Sequence, residues 1–247
     1  MNCQAYTAFY PACGIGRTCK PKRAAELLKI FLDRRRRMKQ GLLIILSGFS
    51  GSGKGTIMKR LLEKYDNYAL SVSATTRRPR PGEREGVDYF YKTEEEFRKM
   101  IEEDAFLEYA CYVEHSYGTP AAYVDEQLNS GKDVILEIEI QGALKVKEKR
   151  PDTLLVFVTP PSAQELERRL VGRGTETREV IRSRMKRAQE EAKAIPDYDY
   201  LLVNDDLEET TDRLHSLIQS QHMLVARQSA FIREFRRGLE KLDDAQH

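Results

Sequence analysis

Residues 42–47, Leu-Leu-Ile-Ile-Leu-Ser, run directly into Gly48-Phe49-Ser50-Gly51-Ser52-Gly53-Lys54-Gly55-Thr56. An apolar strand, a glycine-rich turn and Lys-Gly-Thr opening a helix form the layout of a phosphate-binding loop. Glycine has no Cβ, so successive backbone N–H groups can curl around an anion. The helix beginning at Gly55 adds unpaired N–H groups and the positive end of its dipole, and Lys54 reaches the outer phosphates as a point charge. A chance glycine turn would lack the flanking strand and helix. The segment predicts a nucleoside triphosphate site and commits the chain to an α/β fold built around it.

Apolar, β-branched-rich runs recur at residues 134–140, 154–159 and 200–203, the pattern of strands buried on both faces. Helical stretches lie between them. Residues 56–65 place Ile57, Leu61 and Leu62 on one face, and residues 163–170 follow Pro160-Pro161. That alternation predicts a parallel sheet with crossover helices. Residues 73–130 break it with a basic turn, Tyr89-Phe90-Tyr91, an acidic helix over 93–103 and an alternating run over 106–113. This stretch reads as an inserted, partly antiparallel lobe. From 207 to about 242, Leu214, Leu217, Ile218, Leu224, Phe231, Phe235, Leu239 and Leu242 recur at helical spacing. They predict a C-terminal helix or broken pair laid over the sheet.

Charge is plentiful yet nearly balanced, +2 over 247 residues, so no whole-molecule field predicts nucleic-acid binding. The distribution is uneven: residues 1–40 hold ten Lys and Arg against Glu26 and Asp33 alone. Pro11, Gly14, Gly16, Pro21 and the run Arg34-Arg35-Arg36-Arg37 mark residues 1–37 as a basic extension outside the fold, with the domain spanning 38–247. An over-extended start upstream of Met38, an Arg-rich organelle-targeting segment and a basic arm for nucleic acid or anionic lipid all fit that composition. No apolar stretch approaches the roughly 20 residues that a membrane span needs. Cys3, Cys13, Cys19 and Cys111 lack metal-ligand spacing, so the expectation is a reduced, cytoplasmic protein with neither disulfide nor zinc.

A second dense cluster is Ser71-Val72-Ser73-Ala74-Thr75-Thr76-Arg77-Arg78-Pro79-Arg80-Pro81-Gly82-Glu83. Three arginines among hydroxyls, in a turn limited by Pro and Gly, suit an anion better than a core, although a solvated basic loop has the same composition. With Gly86 and Asp88-Tyr89, this run resembles the GMP-binding segment of guanylate kinases. Phe106-Leu107-Glu108-Tyr109, Tyr117-Gly118-Thr119, Leu136-Glu137-Ile138-Glu139-Ile140-Gln141-Gly142, Arg169-Leu170-Val171-Gly172-Arg173-Gly174-Thr175-Glu176 and Val203-Asn204-Asp205-Asp206 are similar to that family's remaining landmarks, in the same order. The resemblance covers about residues 38–224.

The resemblance implies a P-loop parallel sheet with helices on both faces, a mixed GMP-binding lobe over about 73–130 and an arginine-bearing lid over about 168–190. It implies phosphoryl transfer from ATP to GMP, and to dGMP, with Mg2+. Ser73, Arg77, Arg80, Tyr89 and Tyr117 would grip the GMP phosphate. Glu108, Thr119 and Glu139 would read guanine, whose N1–H and N2–H₂ donors suit ionised carboxylates; adenine would leave a buried carboxylate unpaired. Residues 48–56 and Asn204 would hold ATP, and Lys54, Arg169, Arg173 and Arg184 would act on the transferring group. Thr56 and Glu137 would face the metal.

Three positions depart from the usual patterns. Gly55 stands where a phosphate loop commonly places the Ser or Thr that meets magnesium, and the hydroxyl comes one residue later in Thr56, an order found in nucleoside monophosphate kinases. Glu139 stands where the resembled family usually has Asp, which bears on guanine affinity, and Phe49 stands where Pro is common. Two other readings draw on the same residues. One is a guanylate-kinase-like scaffold that binds protein partners without catalysis; the intact Gly53-Lys54, Arg169 and Arg173 count against it. The other is a kinase for a different nucleoside monophosphate, against which Glu108 and Glu139 count. The expected assembly is a monomer or homodimer.

Overall fold

The computed structural model describes residues 40–112, 114–172 and 177–244. In chain order its elements are β1 (Leu43–Gly48), α1 (Lys54–Lys64), β2 (Tyr68–Leu70), β3 (Ala74–Thr75), β4 (Phe90–Tyr91), α2 (Glu94–Glu102), β5 (Phe106–Tyr112), β6 (His115–Pro120), α3 (Ala121–Asn129), β7 (Asp133–Glu137), α4 (Ile140–Lys149), β8 (Leu154–Thr159), α5 (Ala163–Gly172), α6 (Arg178–Glu191), β9 (Tyr200–Val203), α7 (Leu207–His222) and α8 (Ser229–Asp244). The expected extension over residues 1–37 lies outside the described residues.

The main sheet has the order β2-β7-β1-β8-β9, and every pairing in it is parallel. Successive side chains of a strand point to opposite faces, so β1 divides its apolar run between two cores. Ile44 and Leu46 pack with Ile57 and Leu61 of α1 and with Leu214 and Ile218 of α7. Leu43 and Ile45 pack on the other side with Val124 and Leu128 of α3 and Ala143 and Val146 of α4. Both faces are covered, as continuous apolar strands require.

The inserted lobe is a second sheet, β4-β3-β6-β5, with β3 and β4 parallel and β3, β6 and β5 antiparallel. Its core is small: Ala74, Phe97 and Phe106, with the two phenylalanine rings stacked 4.6 Å apart. Helix α2 begins at a capping box in which Thr93 and Glu96 each accept the other's backbone N–H, which fixes its start without tertiary help.

The structure corrects three expected boundaries. The strand expected over 134–140 stops at Glu137. The pairing of β7 with β1 stops at Leu46 and Glu137 although β1 runs on to Gly48, Ser47 Oγ donates to the Ile138 carbonyl at 2.8 Å, and Glu139 becomes the N-cap of α4. Strand β2 was missed, being three residues long at a sheet edge. The C-terminal stripe is a broken pair of which α7 covers the sheet, whereas α8 leaves Phe231, Phe235 and Leu239 more than half exposed.

Candidate active site

The loop joining β1 to α1 is shaped by what glycine permits. Gly48 has φ +146°, and a Cβ there would stand 2.1 Å from the Val158 carbonyl oxygen of the neighbouring strand. Gly53 has φ +90°, and its Cβ would meet the Asn204 amide nitrogen at 2.4 Å. Gly53 is also the N-cap of α1 and gives no side-chain hydrogen bond to the helix, so the first-turn N–H groups face the loop's hollow with the positive helix end behind them. Lys54 Nζ donates to the carbonyls of Gly48 at 2.9 Å and Phe49 at 3.1 Å, and lies 3.9 Å from Glu137 Oε1. A cavity of about 450 Å³ opens here, lined by Ser50, Gly51, Gly53, Lys54, Gly55, Thr56 and Glu137.

Two arginines reach this loop from different helices. Arg169 of α5 donates to Glu165 at 2.7 Å, to the Asn204 carbonyl at 2.9 Å and, at 3.5 Å, to the Ser52 carbonyl. Arg184 of α6 donates to Ser50 Oγ. Arg168 and then Arg169 hold the Glu165 carboxyl down to about 2. Asn204 is buried, and its amide donates to the Ser52 carbonyl at 2.8 Å, bracing the loop from beneath. Phe49 turns away from the hollow: its ring packs edge-on to Phe157 at 5.0 Å and joins Leu166, Leu170 and Ile181. This side chain fastens the loop to α5 and α6. Arg173 lies outside the described residues.

Across the molecule, the lobe gathers Arg77, Tyr89 and Tyr117. The Arg77 guanidinium carbon sits 5.3 Å from the Tyr89 ring centre, and the Tyr89 and Tyr117 rings meet at 6.0 Å. Ser73 is half-buried beside them in sequence, and Arg80 is exposed, its backbone N–H bound to Glu83. Glu108 of β5 accepts from Thr119 Oγ1 of β6 at 2.7 Å. These strands are antiparallel with a register shift between Phe106 and Tyr109, which turns the carboxylate toward Gly142, where a Cβ would come within 3.2 Å of its Oε2. Burial raises the Glu108 carboxyl, while Thr119 and Lys145 oppose the rise and the Glu139 charge adds to it. Glu139 is exposed at the start of α4 and accepts from Arg187 of α6 at 2.8 Å.

The structure thus gathers Lys54, Glu137, Arg169, Arg184 and Asn204 about the phosphate loop, and in the lobe it brings Arg77 to Tyr89 and Tyr117 and Glu108 to Thr119, with Arg80 joined through Glu83. Two participants went unrecognised in the sequence. Glu83 binds both Arg77 and Arg80, and its place in Arg80-Pro81-Gly82-Glu83, a turn sequence, was a usable signal. Arg187 is one arginine among many on α6, and nothing in its spacing marks it out.

Comparison with known proteins supplies a further finding. The family model described as "Guanylate kinase" matches residues 40–221. The chain is 51% identical over 189 residues to the guanylate kinase of Lactococcus lactis, covering 76% of this chain and 92% of that one. It is 52% identical over 189 residues to that of Caldanaerobacter subterraneus, with the same coverage. The crystal structure of guanylate kinase from Anaplasma phagocytophilum superposes with a TM-score of 0.59 at 34% identity, covering 76% of this chain and 90% of that one.

Proposed function

The chain belongs to the guanylate kinase family, and we propose on that footing that it transfers the γ-phosphoryl group of ATP to GMP, giving ADP and GDP, with dGMP as a second acceptor. The observation that carries this reading is the pairing of Glu108 and Thr119, a half-buried carboxylate oriented by a hydroxyl, in the same fold as the phosphate hollow around Lys54. One feature selects a purine with a donor edge and the other holds a polyphosphate. The named groups address base and phosphate, which dGMP shares with GMP.

The acceptor oxygen of GMP already carries negative charge, so no general base is needed. Rate acceleration then comes from bringing two anions into line and stabilising charge on the moving group. Lys54 and the loop amides hold the outer phosphates of ATP. Arg169 and Arg184, already at the loop, supply positive charge to the transferring group, and Arg173 is assigned the same role by family likeness. On the acceptor side, Arg77, Arg80, Tyr89, Tyr117 and Ser73 take the GMP phosphate. Guanine donates to Glu108 and Glu139 with Thr119 alongside, and adenine leaves those acceptors unsatisfied, at a cost that favours the right base.

A magnesium ion fits the donor set at the hollow. Glu137 offers a carboxylate and Thr56 a hydroxyl at its wall, and no cluster of three or more His, Cys, Asp or Glu suited to a metal occurs among the described residues. Few protein ligands is what a magnesium site shared with phosphates requires. When bound, the ion would offset the charge of the ATP polyphosphate where it meets the GMP phosphate. Asn204 acts on ATP through the loop it braces. No helix among the described residues is long and apolar enough to cross a membrane, and the cysteine pattern supports a cytoplasmic location.

The deciding experiment is a coupled assay with ATP and Mg2+ that offers GMP, dGMP, AMP, UMP and CMP as acceptors. Turnover with GMP and dGMP far above the others is expected. Equal use of AMP, or no diphosphate from GMP, would remove the proposal.

A further inference from the structure

We propose that Glu83 is a positioning residue that sets Arg77 for capture of the GMP phosphate. The inference rests on the reading of this pocket as the GMP site. It starts from a turn. In Arg80-Pro81-Gly82-Glu83, proline stands second, glycine third with φ +90°, and the Glu83 N–H donates to the Arg80 carbonyl at 3.0 Å. Those residue preferences are the ones a type II turn demands. The turn carries the Glu83 side chain back over its own start, where its carboxylate accepts four hydrogen bonds. Arg77 Nη1 and Nη2 donate to Oε2 and Oε1 at 3.0 and 2.9 Å, the Arg80 N–H donates to Oε2 at 2.7 Å, and Tyr91 Oη donates to Oε2 at 2.9 Å.

The arrangement decides which part of Arg77 meets a ligand. A guanidinium has five N–H donors in a rigid plane. Glu83 takes the end edge two at a time, and Arg78 O takes the other Nη1 hydrogen at 2.8 Å. The Tyr89 ring packs against the group at 5.3 Å, and the Tyr117 hydroxyl interacts with it as well. The Nε–Nη2 side edge remains, held at a fixed angle, for an incoming oxyanion and the Tyr117 hydroxyl to share. The side chains of Arg77 and Glu83 are only 12% and 20% exposed, so this is a built contact.

Two consequences of the carboxylate oppose each other. Its negative charge repels a phosphate, whereas its bonds remove the rotational freedom that Arg77 would otherwise lose on binding. The four donors spread and offset that charge: Arg77 first, then the Arg80 N–H, draw the carboxyl down to about 2. Orientation therefore outweighs repulsion, and removing the carboxylate weakens GMP.

Steady-state kinetics of the full chain, with GMP and ATP varied separately, test this on the wild type, Glu83→Ala and Glu83→Gln. Glu83→Ala is expected to raise KM for GMP roughly 5- to 10-fold, the scale of one immobilised flexible side chain. KM for ATP and kcat stay within about twofold, because neither the donor site nor the transferring group is touched. Glu83→Gln keeps the volume and one acceptor oxygen and recovers part of the loss. A KM for GMP that is unchanged in Glu83→Ala overturns the proposal. So does one that falls, which makes the carboxylate a competitor of the phosphate, or a parallel rise of both KM values with a lowered melting temperature, which makes it merely structural. Wild-type turnover of GMP is read in the same assay. Its absence strikes the GMP site itself, whereas a normal wild type with an insensitive Glu83→Ala strikes only the positioning role.

Discussion

Lys54 and Glu108 show how single side chains divide the work. Lys54 Nζ rests on two loop carbonyls within reach of the hollow, far in role from the acceptor pocket. Lys54→Ala should lower kcat by at least about 100-fold, the range for loss of one charge-stabilising donor. GMP affinity measured by calorimetry in the absence of ATP should stay within about twofold, since the Lys54 hydrogen bonds to Gly48 and Phe49 lie within the phosphate loop. Glu108 must be ionised to accept from guanine, and burial raises its carboxyl while the Thr119 hydroxyl lowers it. The activity limb that reports its protonation therefore lies on the acid side. Thr119→Val removes a donor that favours the charged form, so kcat/KM for GMP should begin to fall at a higher pH than in the wild type. Titration of the GMP phosphate is common to both proteins and cancels from the comparison. A limb that stays in place or moves to lower pH would separate Glu108 from base reading.

At the scale of elements, the phosphate loop, its glycines and the strand before it were legible because they are consecutive in sequence. Local chemistry decides them: a positive φ at Gly53 and a close approach at Gly48 leave no other residue a comfortable choice. Gly53→Ala should strain the backbone by about 1–3 kcal/mol and push on Asn204, raising KM for ATP with little change in KM for GMP. What the sequence hid is tertiary. In the sequence Phe49 stands out only as a departure from a common Pro, yet it is 8% exposed and sits in the cluster with Phe157, Leu166, Leu170 and Ile181. Only the fold brings those residues together. Phe49→Ala should cost about 3–5 kcal/mol, read as a lower denaturation midpoint and a lower melting temperature. The end of β7 was equally invisible, because apolar Ile138 and Ile140 continue the strand pattern while the Ser47 side-chain bond to the Ile138 carbonyl and the helix start at Glu139 break it.

For the whole molecule, a parallel sheet with crossover helices followed from alternation, while the strand order and the split of the C-terminal stripe did not. Helices α7 and α8 share one apolar periodicity, and only packing tells the buried Leu214 from the exposed Phe235. The family match spans residues 40–221, and every described site residue lies within it. A chain beginning at Met38 should therefore keep kcat and both KM values within about twofold of the full chain, measured in the same coupled assay. A larger loss would assign residues 1–37 a part in the chemistry.

Helix α6 meets the phosphate loop through Arg184 and Ser50 and meets the start of α4 through Arg187 and Glu139. One helix thus touches both the loop proposed to hold the donor and the residue proposed to read the acceptor's base. On that reading, linkage is symmetric: whatever factor GMP exerts on ATP binding, ATP must exert on GMP binding. Glu139, the departure in base reading, is then also the point at which α6 reaches the acceptor side.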